Sequence, residues 1–167
     1  VYNVGDYAQG GVVFWVDPSD STKGLVCAIS DQTTAERWNV DANSNIPNAI
    51  GLGIGTGSSN SDEIISTYGL GGNNYAAKIT YNYGGGGYDD WFLPSRDELL
   101  EIYSNKGTIN SSCTSNGGTS LSESDWYWSS SIGNDQSTVW EVDMSNGNSA
   151  QGFWGGSNVV RAIRSYQ

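Results

Sequence analysis

Residues 84–103, GGGGYDDWFLPSRDELLEIY, place a glycine run, an acidic pair, an apolar anchor and a helix start in one continuous stretch. Four glycines in a row are costly in a helix, so the run ends whatever element precedes it. Ser95 with Glu98 three residues on has the form of a capping box, and Asp97 adds charge at the positive end of the helix. Leu99, Ile102 and Tyr103 then supply the buried stripe of a helix over roughly residues 95–105. Trp91, Phe92 and Leu93 anchor the chain as it enters that helix. Asp89 and Asp90 have the form of a catalytic acid pair, but turn capping beside a buried tryptophan is the expected role. The stretch reads as the hinge of a fold whose business lies elsewhere.

Large rings must carry much of the core around this hinge, since seven of the 167 residues are Trp and ten are Tyr. A chain of this length buries a core without staples, and it reads as one domain over residues 1–167. GGVVFWVD (10–17), the turn Asp17-Pro18-Ser19-Asp20 and GLVCAIS (24–30) read as an opening hairpin. Residues 39–60 are turn-rich. Gly51, Gly53, Gly55 and Gly57 alternate there, with neither the following Lys-Ser/Thr of a phosphate loop nor the preceding strand of a dinucleotide fingerprint.

Ser61 reads as the N-cap of a short helix that buries Ile64, Ile65 and Tyr68 and stops at Gly69. A second helical piece aligns Tyr75, Ile79 and Tyr83 on one face. Residues 107–124 read as a Ser/Thr/Asn/Gly loop. In TVWEVDM, Trp140, Val142 and Met144 alternate with Glu141 and Asp143, as on a half-buried strand. VVRAIRSY reads as one strand buried on both faces, with Arg161 and Arg164 in structural ion pairs. Between these strands lie polar loops and one aromatic pair, Phe153-Trp154.

Composition removes several chemistries. The net charge of −11 and only seven scattered Lys and Arg argue against nucleic acid, anionic membranes and sulfated polymers. The absence of histidine removes Ser-His-Asp and Cys-His nucleophiles and every His-ligated metal site. Cys27 lies in a core strand and Cys113 in the polar loop; free thiols and a disulfide both stay open. No apolar run reaches the length of a membrane span, and no signal peptide is visible. The opening VYNVGDYAQGG reads as a domain cut from a longer chain or matured by processing. Low charge density with abundant Asn, Ser and Gly suits a secreted or surface-displayed protein.

Taken in order, GGVVFWVD, GLVCAISDQ, IGLGIGTGSSNSDEI, NYAAKI, DDWFLPSRDEL, YWSSS, SNGN and the closing VVRAIRSY resemble the C-terminal domain family of the Legionella collagen-like adhesin. The resemblance spans almost the whole chain. It implies an α+β, C-type-lectin-like domain with two short helices, an antiparallel sheet and a loop-rich, ligand-presenting half. Members sit on adhesins, surface proteins or phage fibres, often as homotrimers, so the location implied is extracellular, cell surface or virion tip. Some resemble the variable proteins of diversity-generating retroelements, whose changeable positions lie between YWSS and the final VRA. That segment is residues 132–159. The ligand-binding role therefore carries to Asn134, Asp135, Gln136, Glu141, Asp143, Ser149, Gln151, Phe153, Trp154, Ser157 and Asn158. The implied partner is a host or bacterial surface protein or a glycan.

Two departures qualify the resemblance. The chain is acidic where the Legionella adhesin engages sulfated polysaccharide. It also offers only NIPN (45–48) and WEVD (140–143) where calcium-dependent lectins carry their sugar-binding motifs, so no cofactor is expected, although scattered carboxylates leave a structural Ca²⁺ open. Formylglycine-generating enzymes share the fold but need paired active-site cysteines, a pattern Cys27 and Cys113 do not supply. The non-enzymatic reading competes with two others. One is a glycoside hydrolase using Glu141 and Asp143, which lie about 6.5–7 Å apart along a strand, or the 89/90 pair. The other is a ligand-free trimerising tip.

Overall fold

The computed structural model describes residues 1–41 and 46–167. It is a mixed α+β fold of two sheets and short helices. The first sheet runs β1 (Tyr7–Ala8), β2 (Gly11–Val16), β3 (Gly24–Cys27) and β9 (Ile163–Tyr166), all antiparallel. The opening hairpin is therefore present, and the last strand completes its sheet. The second sheet has the order β4 (Thr33–Arg37), β8 (Ser157–Val160), β5 (Trp126–Ile132), β6 (Thr138–Asp143), β7 (Ser149–Phe153). Its pairings are antiparallel except β5 with β8.

VVRAIRSY is not one strand. It leaves β8 at Val160 and enters β9 at Ile163, in the other sheet. Arg161 sits at the switch with its side chain fully buried. Its Nε donates to Asp31 Oδ1 at 2.6 Å, and its other nitrogens donate to the carbonyls of Ala28, Thr119 and Ser120. Satisfying a buried guanidinium fixes the break and draws three segments together. Arg164 forms the expected ion pair as a two-pronged fork on Asp90, at 2.6 and 2.9 Å, with its guanidinium 3.7 Å over the Tyr88 ring. Asp90 is thus an ion-pair partner rather than a turn cap.

The helices correct the sequence reading in part. Helix α1 (Gly57–Tyr68) begins before Ser61, which is buried inside it; the Ser61 hydroxyl donates to Leu93 O and accepts from Leu93 N. A cap was expected there because a Ser before acidic residues is locally the better start; pairing with the Leu93 backbone decides otherwise. Gly69 ends α1 at φ 72°, as expected. Helix α2 (Ala76–Tyr81) follows, with Tyr75 buried before it and its hydroxyl on Gly69 O at 2.7 Å. Helix α3 (Arg96–Ser104) has the reciprocal capping box between Ser95 and Glu98. Helix α4 (Lys106–Ser115) occupies the segment read as a loop, so two short helices understates the helical content. Its sequence has little helix propensity; Ile109 and Cys113, one turn apart, are buried and hold it.

Both faces of the second sheet are covered. Tyr127, Val142 and Val159 enter a core cluster with Phe14, Leu99 and Ile102. Trp128, Val139 and Val160 enter another with Trp38, Ile64 and Tyr75. Val142 and Met144 are buried as the alternation suggested, but Trp140 is only half-buried and Val139, on the opposite side, is buried too.

Candidate binding face

A buried carboxylate organises the framework. Glu98 Oε2 accepts the Ser95 amide at 2.7 Å and Oε1 the Gly55 amide at 2.8 Å, with the Gly57 amide as a third donor. Burial still pushes the Glu98 carboxyl above its ordinary value, against the pull of those amides. A Cβ at Gly57 would lie 2.2 Å from Glu98 Oε2, so the glycine admits the carboxylate. Ser95 Oγ donates to Gly53 O at 2.9 Å, and Asp97 N to Leu52 O at 3.0 Å. The alternating glycines of 51–57 are therefore a strap over the start of α3. Ser131, on β5, bridges to the same strap: its hydroxyl donates to Gly51 O at 2.7 Å and accepts the Arg96 amide at 3.0 Å. Buried indoles brace the sheet, with Trp38 Nε1 on Ser129 O and Trp128 Nε1 on Glu36 O, both at 2.7 Å.

Strand β7 is an edge of the second sheet; residues 132–159 run from the end of β5 through β6 and β7 into β8, which lies on the other side of β5. At one end, Asn134, Asp135 and Gln136 occupy the turn between β5 and β6 and are exposed. Gln151 reaches this turn from β7: its Oε1 accepts the Asn134 amide at 2.8 Å and the Thr138 hydroxyl at 3.2 Å. Asp135 Oδ1 accepts the Ser137 amide and the Thr138 hydroxyl, each at 3.0 Å, and the Ser137 bonds hold its carboxyl below the usual range. Phe153, paired with Thr138 across the strands, belongs to the same end and is 64% exposed. Its ring lies 4.9 Å from that of Trp154, which is half-buried against the second core cluster. A Cβ at Gly155 would lie 2.4 Å from the Phe153 ring, so the glycine leaves room for the ring in this orientation.

Other carried positions lie apart from that end. Asp143 and Ser149 flank the turn at the far end of β6, about 16 Å away along the strand. Asp143 accepts from the Ser145 amide and Asn146 Nδ2, both at 2.8 Å, and its carboxyl is lowered, chiefly by Ser145. Glu141 and Asn158 face inward together: Asn158 Nδ2 donates to Glu141 Oε2 at 2.5 Å, and a Cβ at Gly152 would meet the carboxyl carbon at 2.5 Å. Burial raises the Glu141 carboxyl. Ser157 is exposed at the start of β8.

Glu141 and Asp143 thus share a face of β6 in different company, one pressed between Asn158 and Gly152, the other capping a turn. Neither lines the cavity of about 340 Å³ between Trp15, Leu25, Ile54 and Tyr166. Among the described residues no group of three or more Asp, Glu or Cys could hold a metal ion. Of NIPN, Asn45 lies outside the described residues. No described helix is long and apolar enough to cross a membrane.

Three supporting positions escaped the sequence reading. Gly133 makes room for the Gln151 amide, since a Cβ there would lie 2.3 Å from Oε1. Thr138 joins Asp135 to Gln151. Arg96 stacks 4.9 Å over Trp140, coupling the start of α3 to β6. Only the glycine ending YWSSSIG carried a local signal, as a turn residue.

Comparison with known proteins places these features. Residues 27–164 match the model of the Lcl C-terminal domain family. No curated protein matches the chain. Among solved structures, a fimbrial protein from Bacteroides ovatus ATCC 8483 is similar at 15% identity, with a TM-score of 0.67 over 94% of this chain and 44% of that one. The chain thus spans less than half the length of that fimbrial protein, and the likeness is one of fold.

Proposed function

We propose that this chain, which belongs to the Lcl C-terminal domain family, is an adhesion-type recognition domain that binds a surface protein or glycan through residues 132–159. One observation carries the reading: the exposed Phe153 ring is held out at a sheet edge beside a ring anchored in the core. An exposed ring with little freedom is a low-entropy contact, and Asn134, Gln136, Gln151 and Ser157 supply adaptable hydrogen bonding around it. The binding face is narrower than the set carried from the resemblance. It centres on Asn134, Gln136, Gln151, Phe153 and Ser157, while Glu141, Asn158 and Trp154 support from beneath and Asp143 and Ser149 form a separate flank.

The C-type-lectin-like reading of the fold belongs to this proposal. It is supported by the first and last strands sharing one sheet while the candidate face lies on the other. Extracellular or virion display, trimerisation and retroelement diversification extend the same proposal, and solution mass and the neighbouring gene sequence test the last two. The direct test is an array of surface proteins and glycans probed with the domain. Binding that Phe153→Ala removes supports the face; binding that survives in the folded variant overturns it.

A further inference from the structure

Cys27 ends β3, Cys113 lies on α4, and both side chains are fully buried in one core cluster. Arg161 Nη1 joins the two sites, donating to Cys113 Sγ at 3.8 Å and to the carbonyl of Ala28, the residue after Cys27, at 2.8 Å. We propose that Cys27 and Cys113 are a disulfide-forming site, which closes within one chain in a thiol-oxidising compartment and ties α4 to the first sheet. Arg161 thereby sets Cys113 against the end of β3, the placement that a cross-link between these two positions requires. Helix α4 is the element that gains most, because only Ile109 and Cys113 hold it by burial and its sequence is poor in helix formers. The loop closed is long, the case in which a cross-link restricts the unfolded chain most.

The oxidant is a low-molecular-weight disulfide such as oxidised glutathione. Cys113, as thiolate, attacks one of its sulfurs and expels one thiolate, leaving a mixed disulfide. Cys27 then gives up its proton and attacks the Cys113 sulfur, expelling the second thiolate. The two expelled groups take up the two protons, so two protein thiols are oxidised and one disulfide is reduced to two thiols. The neighbouring Cys27 thiol first, and Arg161 after it, favour the thiolate at Cys113, which makes it the first attacker, while Cys113 and burial push Cys27 up. Because both sulfurs are buried, exchange passes through local opening of α4. None of this depends on what the domain binds.

The test refolds the unfolded, reduced chain with oxidised glutathione, then measures intact mass and counts thiols in denaturant. The expected product is a monomer lighter by two hydrogens with no titratable thiol, and its Tm exceeds that of the reduced form by about 10 °C. Cys27→Ser should stop at a single glutathione adduct. Two free thiols, two adducts or a covalent dimer in the wild-type chain would overturn the proposal, as would equal Tm for the oxidised and reduced forms. If Cys27→Ser does not fold, the wild-type mass and thiol count decide alone.

Discussion

Glu98 Oε1 accepts the Gly55 amide at 2.8 Å, joining the capping box of α3 to a glycine strap 43 residues earlier in the chain. The carboxylate satisfies backbone donors that would otherwise be orphaned in the interior, and Ser131, bonded to Gly51 O and the Arg96 amide, ties the same strap to the central strand β5. Strap, helix start and the strand leading into the 133–137 turn are thus joined around one buried group.

Glu98→Gln keeps the volume but turns one acceptor into a donor facing an amide. The expected cost is about 2–3 kcal/mol, read as a lower midpoint in denaturant unfolding. Because burial raises the folded pKa of Glu98 above its unfolded value, the wild-type contribution is fully present below about 4.5 and lost as pH rises through the folded value. The variant should therefore lack that downward slope, and an unchanged midpoint at every pH would remove Glu98 from its central place.

Asp90 behaves oppositely. Arg164 holds its carboxyl below the ordinary 3.8, so its stabilisation is present above that value and lost as pH falls through the folded value. Asp90→Asn should be less stable than wild type near neutrality, and the two melting curves should converge in acid below the ordinary value. Because Asp90 is mostly exposed, the gap at neutral pH should be modest and shrink in high salt.

Phe153 and Trp154 separate under truncation despite their contact. Phe153→Ala should leave Tm within about 1–2 °C, since the ring is mostly exposed. Trp154→Ala uncovers part of the second core cluster and should cost about 1–3 kcal/mol. Equal Tm losses in the two variants would contradict the division between contact ring and anchor ring.

What the sequence disclosed was local. Ser95 and Glu98 lie three residues apart, so their capping box is written in the order of the residues. The buried arginines likewise announced their need for partners, because an unpaired guanidinium is intolerable inside. Long-range partners explain the misses. Ser61 left its expected cap for the Leu93 backbone, Arg161 broke an apolar run to reach Asp31, and α4 formed on a polar segment because the core receives Ile109 and Cys113. The candidate face was legible as polar loops with two rings. Which of its residues turn inward was not, because alternation in TVWEVDM marks one covered side and this sheet is covered on both.

The central claim is that the framework folds without the displayed side chains and that those side chains make the contact. The triple variant Asn134→Ala, Phe153→Ala, Ser157→Ala, confirmed folded by a cooperative melt, tests it on the array of surface proteins and glycans. Every signal given by the wild-type domain should fall at least about tenfold, the loss of one aromatic contact with its neighbours. Wild-type signal from the folded variant would contradict it.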